Sequence, residues 1–163
     1  MPAHPNESPM SDPLAYFLTW PTYGTWLPGD ERGWVLHGKG FQPPSPIRQE
    51  SAERRMTESA CLLDTAQRGL VEKTICDHCK IRQWHLYAVN CRSNHVHIVV
   101  AADRKPEVVR DQFKAWCSRK LNELQQSRNM PRRKNWWTER ASRRYLGDED
   151  SLETAIKYVL EAQ

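Results

Sequence analysis

The sequence lacks any run of about 20 apolar residues, the length that a helix needs to cross a membrane. Residues 1–13 are polar and rich in proline, and they lack the apolar segment of a secretory signal peptide. We therefore expect a soluble cytoplasmic protein, with a loosely held polar leader at 1–13 and one domain at 14–163.

A disulfide framework is also missing, because the five cysteines are an odd number at unsuitable spacings. Reduced thiols are expected in such a protein. Cys76 and Cys79 form a single CxxC pair near His78 and His85, which invites a zinc interpretation. A structural zinc site needs a second ligand pair, however, and the helical period places Cys79 on a buried face. We favour a core role for Cys79.

Acidic residues are scarce in one segment. Residues 128–144 contain seven basic side chains and one acid, although the net charge of the chain is only +4. A local basic surface of this kind indicates a partner rich in phosphate.

Hydrophobic periodicity predicts strands of period two and helices with apolar residues three and four apart. We expect strands at 16–20, 84–90, 95–101 and 143–146, and helices at 58–83, 106–126 and from 151 onward. Residues 22–46, rich in glycine and proline, are predicted to form a long irregular loop. This order predicts an α+β sandwich in which a small antiparallel sheet is backed by helices.

The predicted strand 95–101 contains two histidines that share one face. Residues two apart in a strand project together, so His95 and His97 lie side by side while Val96, Ile98 and Val100 face the helices. Two adjacent imidazoles on an open sheet face make half of a metal site. An alternative is that one histidine is exposed and the other only packs.

The last predicted helix has a tyrosine away from its apolar stripe. With Leu152 as the reference, Tyr158 lies about 240° around the helix, on its polar side. A phenolate there is available to attack a phosphodiester. An ordinary surface tyrosine is the alternative.

Three segments carry a family resemblance: residues 86–100, 113–121 and 155–161. The Asn-His-Val-His strand, followed some sixty residues later by a helical tyrosine, resembles the HUH endonucleases of the single-tyrosine (Y1) group. Within that group the sequence is similar to the IS200-like and REP-associated tyrosine transposases. The resemblance extends from Tyr16 to Gln163 and implies a ferredoxin/RRM-like palm with the tyrosine on a C-terminal helix.

This resemblance implies that His95 and His97 bind Mg²⁺ or Mn²⁺ and that Tyr158 is the nucleophile. The implied substrate is hairpin-bearing single-stranded DNA, cleaved and rejoined through a 5′-phosphotyrosine by a monomer or homodimer near the nucleoid. Relatives often have a polar third ligand four residues after the tyrosine, where this chain has Ala162. Either Glu161 or Gln163, at an unwinding helix end, takes that role.

Single-stranded DNA is held by cationic grooves and aromatic platforms. The candidate DNA-binding residues combine both chemistries: Arg92, Lys114, Arg119, Arg132, Arg133, Lys134, Trp136, Trp137, Arg140, Arg143 and Arg144. We expect one of the two tryptophans to be buried and the other to be free.

Two other functions fit the same residues. The scaffold could recognise hairpin DNA or RNA as a regulator that has lost cleavage, which the unusual third-ligand spacing would favour. A zinc or manganese hydrolase built on the His-x-His pair is less favoured, because no Asp or Glu motif accompanies the two histidines.

Overall fold

A computed structural model describes residues 13–139 and 141–161. The elements in chain order are β1 (Ala15–Pro21), β2 (Trp34–Leu36), β3 (Gly40–Gln42), α1 (Pro46–Arg55), α2 (Thr65–Arg82), β4 (His85–Cys91), β5 (His95–Ala101), α3 (Pro106–Ser127), β6 (Ser142–Leu146) and α4 (Glu149–Glu161). No helix within these residues is long and apolar enough to cross a membrane. The predicted leader at 1–13 lies outside the described residues except for Pro13.

The main sheet has four antiparallel strands in the order β4-β5-β1-β6. Its chain order with the helices is β1-α2-β4-β5-α3-β6, which is the split βαβ arrangement of ferredoxin-like folds. The predicted α+β class is confirmed. Strand β5 is central in this sheet and pairs with β1 on one side and β4 on the other.

Helices α2 and α3 cover one face of the sheet and form the larger core. Val96, Ile98 and Val100 of β5 are fully buried on this face, as the strand period predicts. They pack with Phe113 of α3 and Ile75 of α2 among others. This layer packs against the back of β5.

Helix α4 covers the opposite face, which the sequence had suggested was open. Its buried side chains Ala155 and Val159 pack in a second cluster with Ala88 and Val99 of the sheet. Because these side chains are small, the helix can lie close to the strands. The face predicted to be open is therefore partly covered by α4, and the part of it beside this helix, where His95 and His97 lie, is called the groove below.

Helix α2 begins later than its periodicity suggested, at Thr65 instead of about residue 58. Asp64 accepts a hydrogen bond from the backbone N–H of Gln67, and the Gln67 side chain accepts one from the backbone N–H of Asp64. This reciprocal capping box fixes the first turn. The preceding apolar residues Cys61 and Leu63 are buried although their segment has no regular secondary structure, and their burial mimics the helical pattern.

Strand β4 contains a bulge between Leu86 and Ala88, which the sequence did not reveal. The predicted alternation put both residues on one face. In the structure Leu86 packs with the larger core and Ala88 with the α4 cluster, because the extra residue reverses the faces. Asn90 therefore shares the α4 face with His97, its partner in the register.

The segment predicted to be one long loop contains the short hairpin of β2 and β3, followed by α1, which was not predicted. Pro46 at the first turn of α1 is compatible with a helix start. Only Ala52 of this helix is buried, so it has too weak an apolar stripe to be recognised by periodicity.

Substitution of Asp64 by alanine should lower the free energy of unfolding by about 1–2 kcal/mol, because it removes the cap of α2 together with a partly exposed ion pair to Arg128. Asp77→Ala is the matched control, since it removes only an exposed ion pair with Lys73 and should cost no more than about 0.5 kcal/mol. Urea unfolding measures both. Equal losses in the two variants would contradict the capping role.

Candidate active site

His95 and His97 lie on the α4 face of β5, with their ring centroids 4.3 Å apart. The predicted shared face is confirmed. In the register His97 is opposite Thr19 and His95 is opposite Pro21, so the pair lies toward the end of β1. His97 is only 7% exposed, whereas His95 is partly exposed at the edge of the groove.

Each imidazole is oriented by a hydrogen bond at its Nδ1 atom. Thr19 Oγ1 lies 2.9 Å from Nδ1 of His97, and Asn94 Oδ1 lies 2.6 Å from Nδ1 of His95. With a protonated Nδ1 donating to each oxygen, Nε2 carries the lone pair for coordination. Fixing one ring nitrogen in this way is the usual support for a metal-binding histidine.

Both histidines favour the neutral form. Burial lowers the pKa of His97 to about 4, with further contributions from His95 and Arg92. Burial also lowers the pKa of His95, again with a contribution from Arg92. Metal ions bind the neutral imidazole, so this pair needs no proton release to bind a metal at neutral pH.

Tyr158 lies beside this pair, on the flank of α4 that faces the groove. Its ring centroid is 5.6 Å from that of His97 and 5.9 Å from that of Phe17, while 55% of the residue stays exposed. Tyr158 was predicted to lie away from the apolar stripe of the helix. The structure agrees, because Ala155 and Val159 form the buried side of α4. Leu160 was expected in that stripe, but it is 62% exposed.

The sheet supplies a second contact to α4 that periodicity could not reveal. Asn90 Nδ2 donates a hydrogen bond of 2.9 Å to the backbone carbonyl of Val159, the residue after Tyr158. The only sequence signal for Asn90 was a polar side chain near the end of the strand. Its partner depends on how α4 packs and cannot be read from local sequence.

A third ligand is not defined within residues 13–139 and 141–161. Those residues contain no group of three or more His, Cys, Asp or Glu side chains suited to a metal ion. Glu161 is exposed and does not form such a group with the histidines in this conformation. Gln163, the other candidate, lies outside the described residues.

The alternative zinc residues have other partners. His78 Nε2 is 2.8 Å from Gln112 Oε1, and Cys79 is buried in the larger core. Burial raises the pKa of Cys79 to about 12, with a contribution from Cys76, so the thiol stays protonated at neutral pH. A thiolate ligand would not form readily there.

The basic segment reaches the end of the sheet next to the histidines. The backbone N–H of Thr138 donates to the carbonyl of Pro21, the residue opposite His95 in the register. Trp137 also pairs with Thr22 in an isolated β-bridge. The loop that sequence composition marked as DNA-binding is therefore joined to the same end of β1 as the metal candidates.

Arg92 and Lys114 flank this region. The backbone N–H of Arg92 donates to the carbonyl of His95, and its charge affects the pKa of both histidines. Lys114 Nζ donates to the carbonyl of Thr138 at 2.8 Å. Burial lowers the pKa of Lys114 to about 8, and Arg110 contributes in the same direction.

One of the two tryptophans is buried, as expected, and the other is less available than expected. Trp136 is 2% exposed, so it is the buried member of the pair, belongs to the core and offers no stacking face to DNA. The backbone at Trp136 is held against the segment after β1, since the N–H of Tyr23 donates a hydrogen bond to the Trp136 carbonyl. Trp137 is half-buried, donates from Nε1 to the Lys114 carbonyl and packs edge-on against Trp20.

Several predicted cations have structural contacts. The Arg133 guanidinium donates to the Ser59 carbonyl, which ties the basic loop to the segment before α2. Arg132 and Lys134 are exposed beside it. Arg119 is exposed on α3 and lies over the Trp116 ring, with Cζ 5.4 Å from its centroid.

Arg143 and Arg144 point to opposite faces of β6. Arg144 is opposite Phe17 in the register and shares the face of α4 and His97. Arg143 is opposite Leu18 and forms an ion pair with Glu107 of α3. Because adjacent strand residues diverge, the two arginines present their charges on opposite faces of the sheet. Arg140 lies outside the described residues.

A ferredoxin-like sheet with a His-x-His pair and an adjacent helical tyrosine defines a candidate phosphoryl-transfer site. Residues 56–162, about two thirds of the chain, match the family described as "Transposase IS200 like". The chain belongs to this family. No curated protein matched the chain.

Two solved structures are similar in fold. One is a REP-associated tyrosine transposase bound to a REP hairpin, with 13% identity and a TM-score of 0.51 over 92% of this chain and 70% of that one. The other is a Deinococcus radiodurans R1 protein assigned as a transposase, with 15% identity and a TM-score of 0.51 over 96% of both chains. At these identities the likeness concerns the fold alone.

Acid should destabilise the metal-free protein through His97. Its folded pKa of about 4 lies below the unfolded value of about 6.5, so the unfolded state binds more protons between these limits. The free energy of unfolding in EDTA should therefore fall, as pH decreases through this window, by roughly 3 kcal/mol from this group. His97→Gln should flatten that slope.

The matched control is His85→Gln, which changes an exposed histidine on the neighbouring strand and should keep the wild-type slope. Chemical denaturation at a series of pH values measures the effect. A slope in His97→Gln equal to that of the wild type would show that His97 is not held neutral by burial.

Proposed function

We propose that this transposase is a metal-dependent endonuclease and strand transferase for single-stranded DNA. Tyr158 serves as the nucleophile, and His95 and His97 bind Mg²⁺ or Mn²⁺. The single observation that supports the proposal is the contact between Tyr158 of α4 and His97 of β5. The centroids of their two rings are 5.6 Å apart. Family membership makes DNA strand transfer the reaction to expect.

The donor set fits such a metal as a half-site. Two neutral imidazoles with fixed Nδ1 atoms offer two Nε2 ligands, and histidine is a common metal ligand, while Mg²⁺ and Mn²⁺ also call for oxygen ligands. The carboxylate of Glu161 or the amide of Gln163 would complete the protein ligands. A bound divalent ion would polarise a phosphoryl oxygen and neutralise charge at the scissile phosphate.

The proposed cleavage is a transesterification. The phenol of Tyr158 loses its proton as its oxygen bonds to phosphorus, and the bond from phosphorus to the 3′-oxygen breaks. The leaving oxygen takes up a proton and becomes a free 3′-hydroxyl, while the 5′-phosphate stays on tyrosine. The covalent link retains the energy of the broken bond, so a 3′-hydroxyl can reverse the step.

The proposed DNA path runs from the basic loop to the groove. Trp137 and Thr138 join the basic loop to the end of β1, and the half-buried Lys114 donates to the Thr138 carbonyl. The same loop carries the exposed Arg132 and Lys134, and Arg92 bonds the His95 carbonyl through its backbone N–H. Arg144 approaches from β6 on the groove side. Recognition of a hairpin is supported by the REP hairpin bound to a protein of similar fold. We propose that this chain acts as a monomer or homodimer.

A covalent-trapping assay tests the reaction. Labelled hairpin-bearing single-stranded DNA, incubated with the protein and Mn²⁺, should yield a DNA–protein adduct on a denaturing gel. Tyr158→Phe should abolish the adduct, because it removes the attacking oxygen. His95→Ala and His97→Ala should each lower metal-dependent adduct formation at least about 100-fold.

Tyr145→Phe is the control for the nucleophile, since Tyr145 is 54% exposed and so matches Tyr158 in exposure. This variant should keep the wild-type yield. An adduct in Tyr158→Phe would mean that another residue attacks. Absence of an adduct in wild type over a broad hairpin set, with hairpin binding retained, would favour a regulator that only binds.

The two arginines of β6 give a paired test of the DNA path. Arg144→Gln should weaken binding to hairpin single-stranded DNA and reduce the slope of log K against log salt by about 0.7, the value for one phosphate contact. Arg143→Gln should change the slope less, because Arg143 is paired with Glu107 on the other face. Fluorescence anisotropy at several salt concentrations measures both. Equal slopes would exclude a groove-side path past Arg144.

A further inference from the structure

Resting on the proposed function, we infer that Asn90 is a positioning residue that fixes the nucleophile of α4 relative to His97 through its hydrogen bond to the Val159 carbonyl. Asn90 lies on β4 directly opposite His97 in the strand register. Its Nδ2 atom is 2.9 Å from the carbonyl oxygen of Val159. The Asn90 side chain thus connects β4, at the position opposite His97, to the residue that follows Tyr158.

The Tyr158 side chain is held only weakly by its own packing. It is 55% exposed, and its described ring contacts are edge-on to Phe17 and His97. The position of its oxygen therefore depends mainly on where the backbone of α4 is held. Val159 is the adjacent anchor, because its side chain is fully buried against the sheet.

The Val159 carbonyl lies in the last described turn of α4, Glu149–Glu161. In this turn Leu160 and Glu161 are exposed, so the side-chain packing of the turn against the sheet rests mainly on the buried Val159. A donor from the sheet at this point restrains the turn that contains the nucleophile. The small side chains of Ala88 and Ala155 dock the helix at one earlier turn but provide no directional contact there.

Orientation of reacting groups has a large effect on rate, and a displacement of about 1 Å can cost about 100-fold. Loss of the Asn90 hydrogen bond should therefore slow attack by Tyr158 without removing any metal ligand or DNA contact proposed above. Two variants of similar size remove the donor: Asn90→Asp introduces a negative charge, and Asn90→Leu does not. Asn90→Gln keeps the amide donor.

The first measurement is the single-turnover rate of adduct formation at saturating hairpin DNA and Mn²⁺. We expect Asn90→Asp and Asn90→Leu to slow this rate about 10- to 100-fold, while the Kd for hairpin DNA in EDTA changes less than about 2-fold. Asn90→Gln should recover part of the loss. The control Gln112→Leu breaks the contact with His78 in the α2–α3 layer and should keep the wild-type rate.

The second measurement does not depend on activity. Amide hydrogen exchange in the last turn of α4 should be faster in Asn90→Asp and Asn90→Leu, with exchange in α2 and α3 unchanged. If wild type forms no adduct, the proposed function fails, and this exchange measurement alone decides whether Asn90 restrains α4.

Three outcomes would overturn the inference. Wild-type adduct rates in both Asn90→Asp and Asn90→Leu would show that the hydrogen bond does not position Tyr158. A slow rate in Asn90→Asp alone would assign the effect to charge near the metal. An equal slowing in Gln112→Leu would assign it to general loss of stability.

Discussion

The pairing of β5 between β1 and β4 is the constraint on which the rest of the structure depends. Because side chains alternate along a strand, burial of Val96, Ile98 and Val100 against α2 and α3 forces His95 and His97 onto the other face. A register slip of one residue would exchange the two sets and place imidazoles in the apolar core. The hydrophobic layer therefore specifies the position of the histidines more strongly than the local sequence around them.

The groove face has a different requirement. It must bury the imidazole rings of His95 and His97 and still leave their Nε2 atoms able to bind a ligand. Thr19 and Asn94 satisfy the Nδ1 atoms, which lowers the cost of burying the imidazoles and orients their Nε2 atoms. Burial keeps His97 neutral, with a pKa of about 4, which suits metal binding and costs stability in acid. The same environment thus prepares the candidate site and makes it sensitive to pH.

Local sequence was enough to predict the features that depend on period and chain order. The strand period placed His95 and His97 together, and the helical period separated Tyr158 from Ala155 and Val159. Features that depend on long-range packing were missed. The bulge before Ala88 changed the faces of β4, and α4 covered a face predicted to be open. No local pattern encodes either event, because each is decided by contacts between distant segments.

The basic segment shows why composition predicts a surface better than it predicts single contacts. Its seven cations predict a charged region, and the backbone of Thr138 joins that region to the end of β1 beside His95. Some of these side chains make contacts within the fold, and others remain available to bind a partner. Arg133 binds the Ser59 carbonyl and Arg143 pairs with Glu107, so their charges are partly used within the fold. Arg144, one residue further along β6, stays on the groove face because strand geometry separates neighbours. Only some of these cations therefore face the groove. The strand register decides which ones, and composition alone does not reveal it.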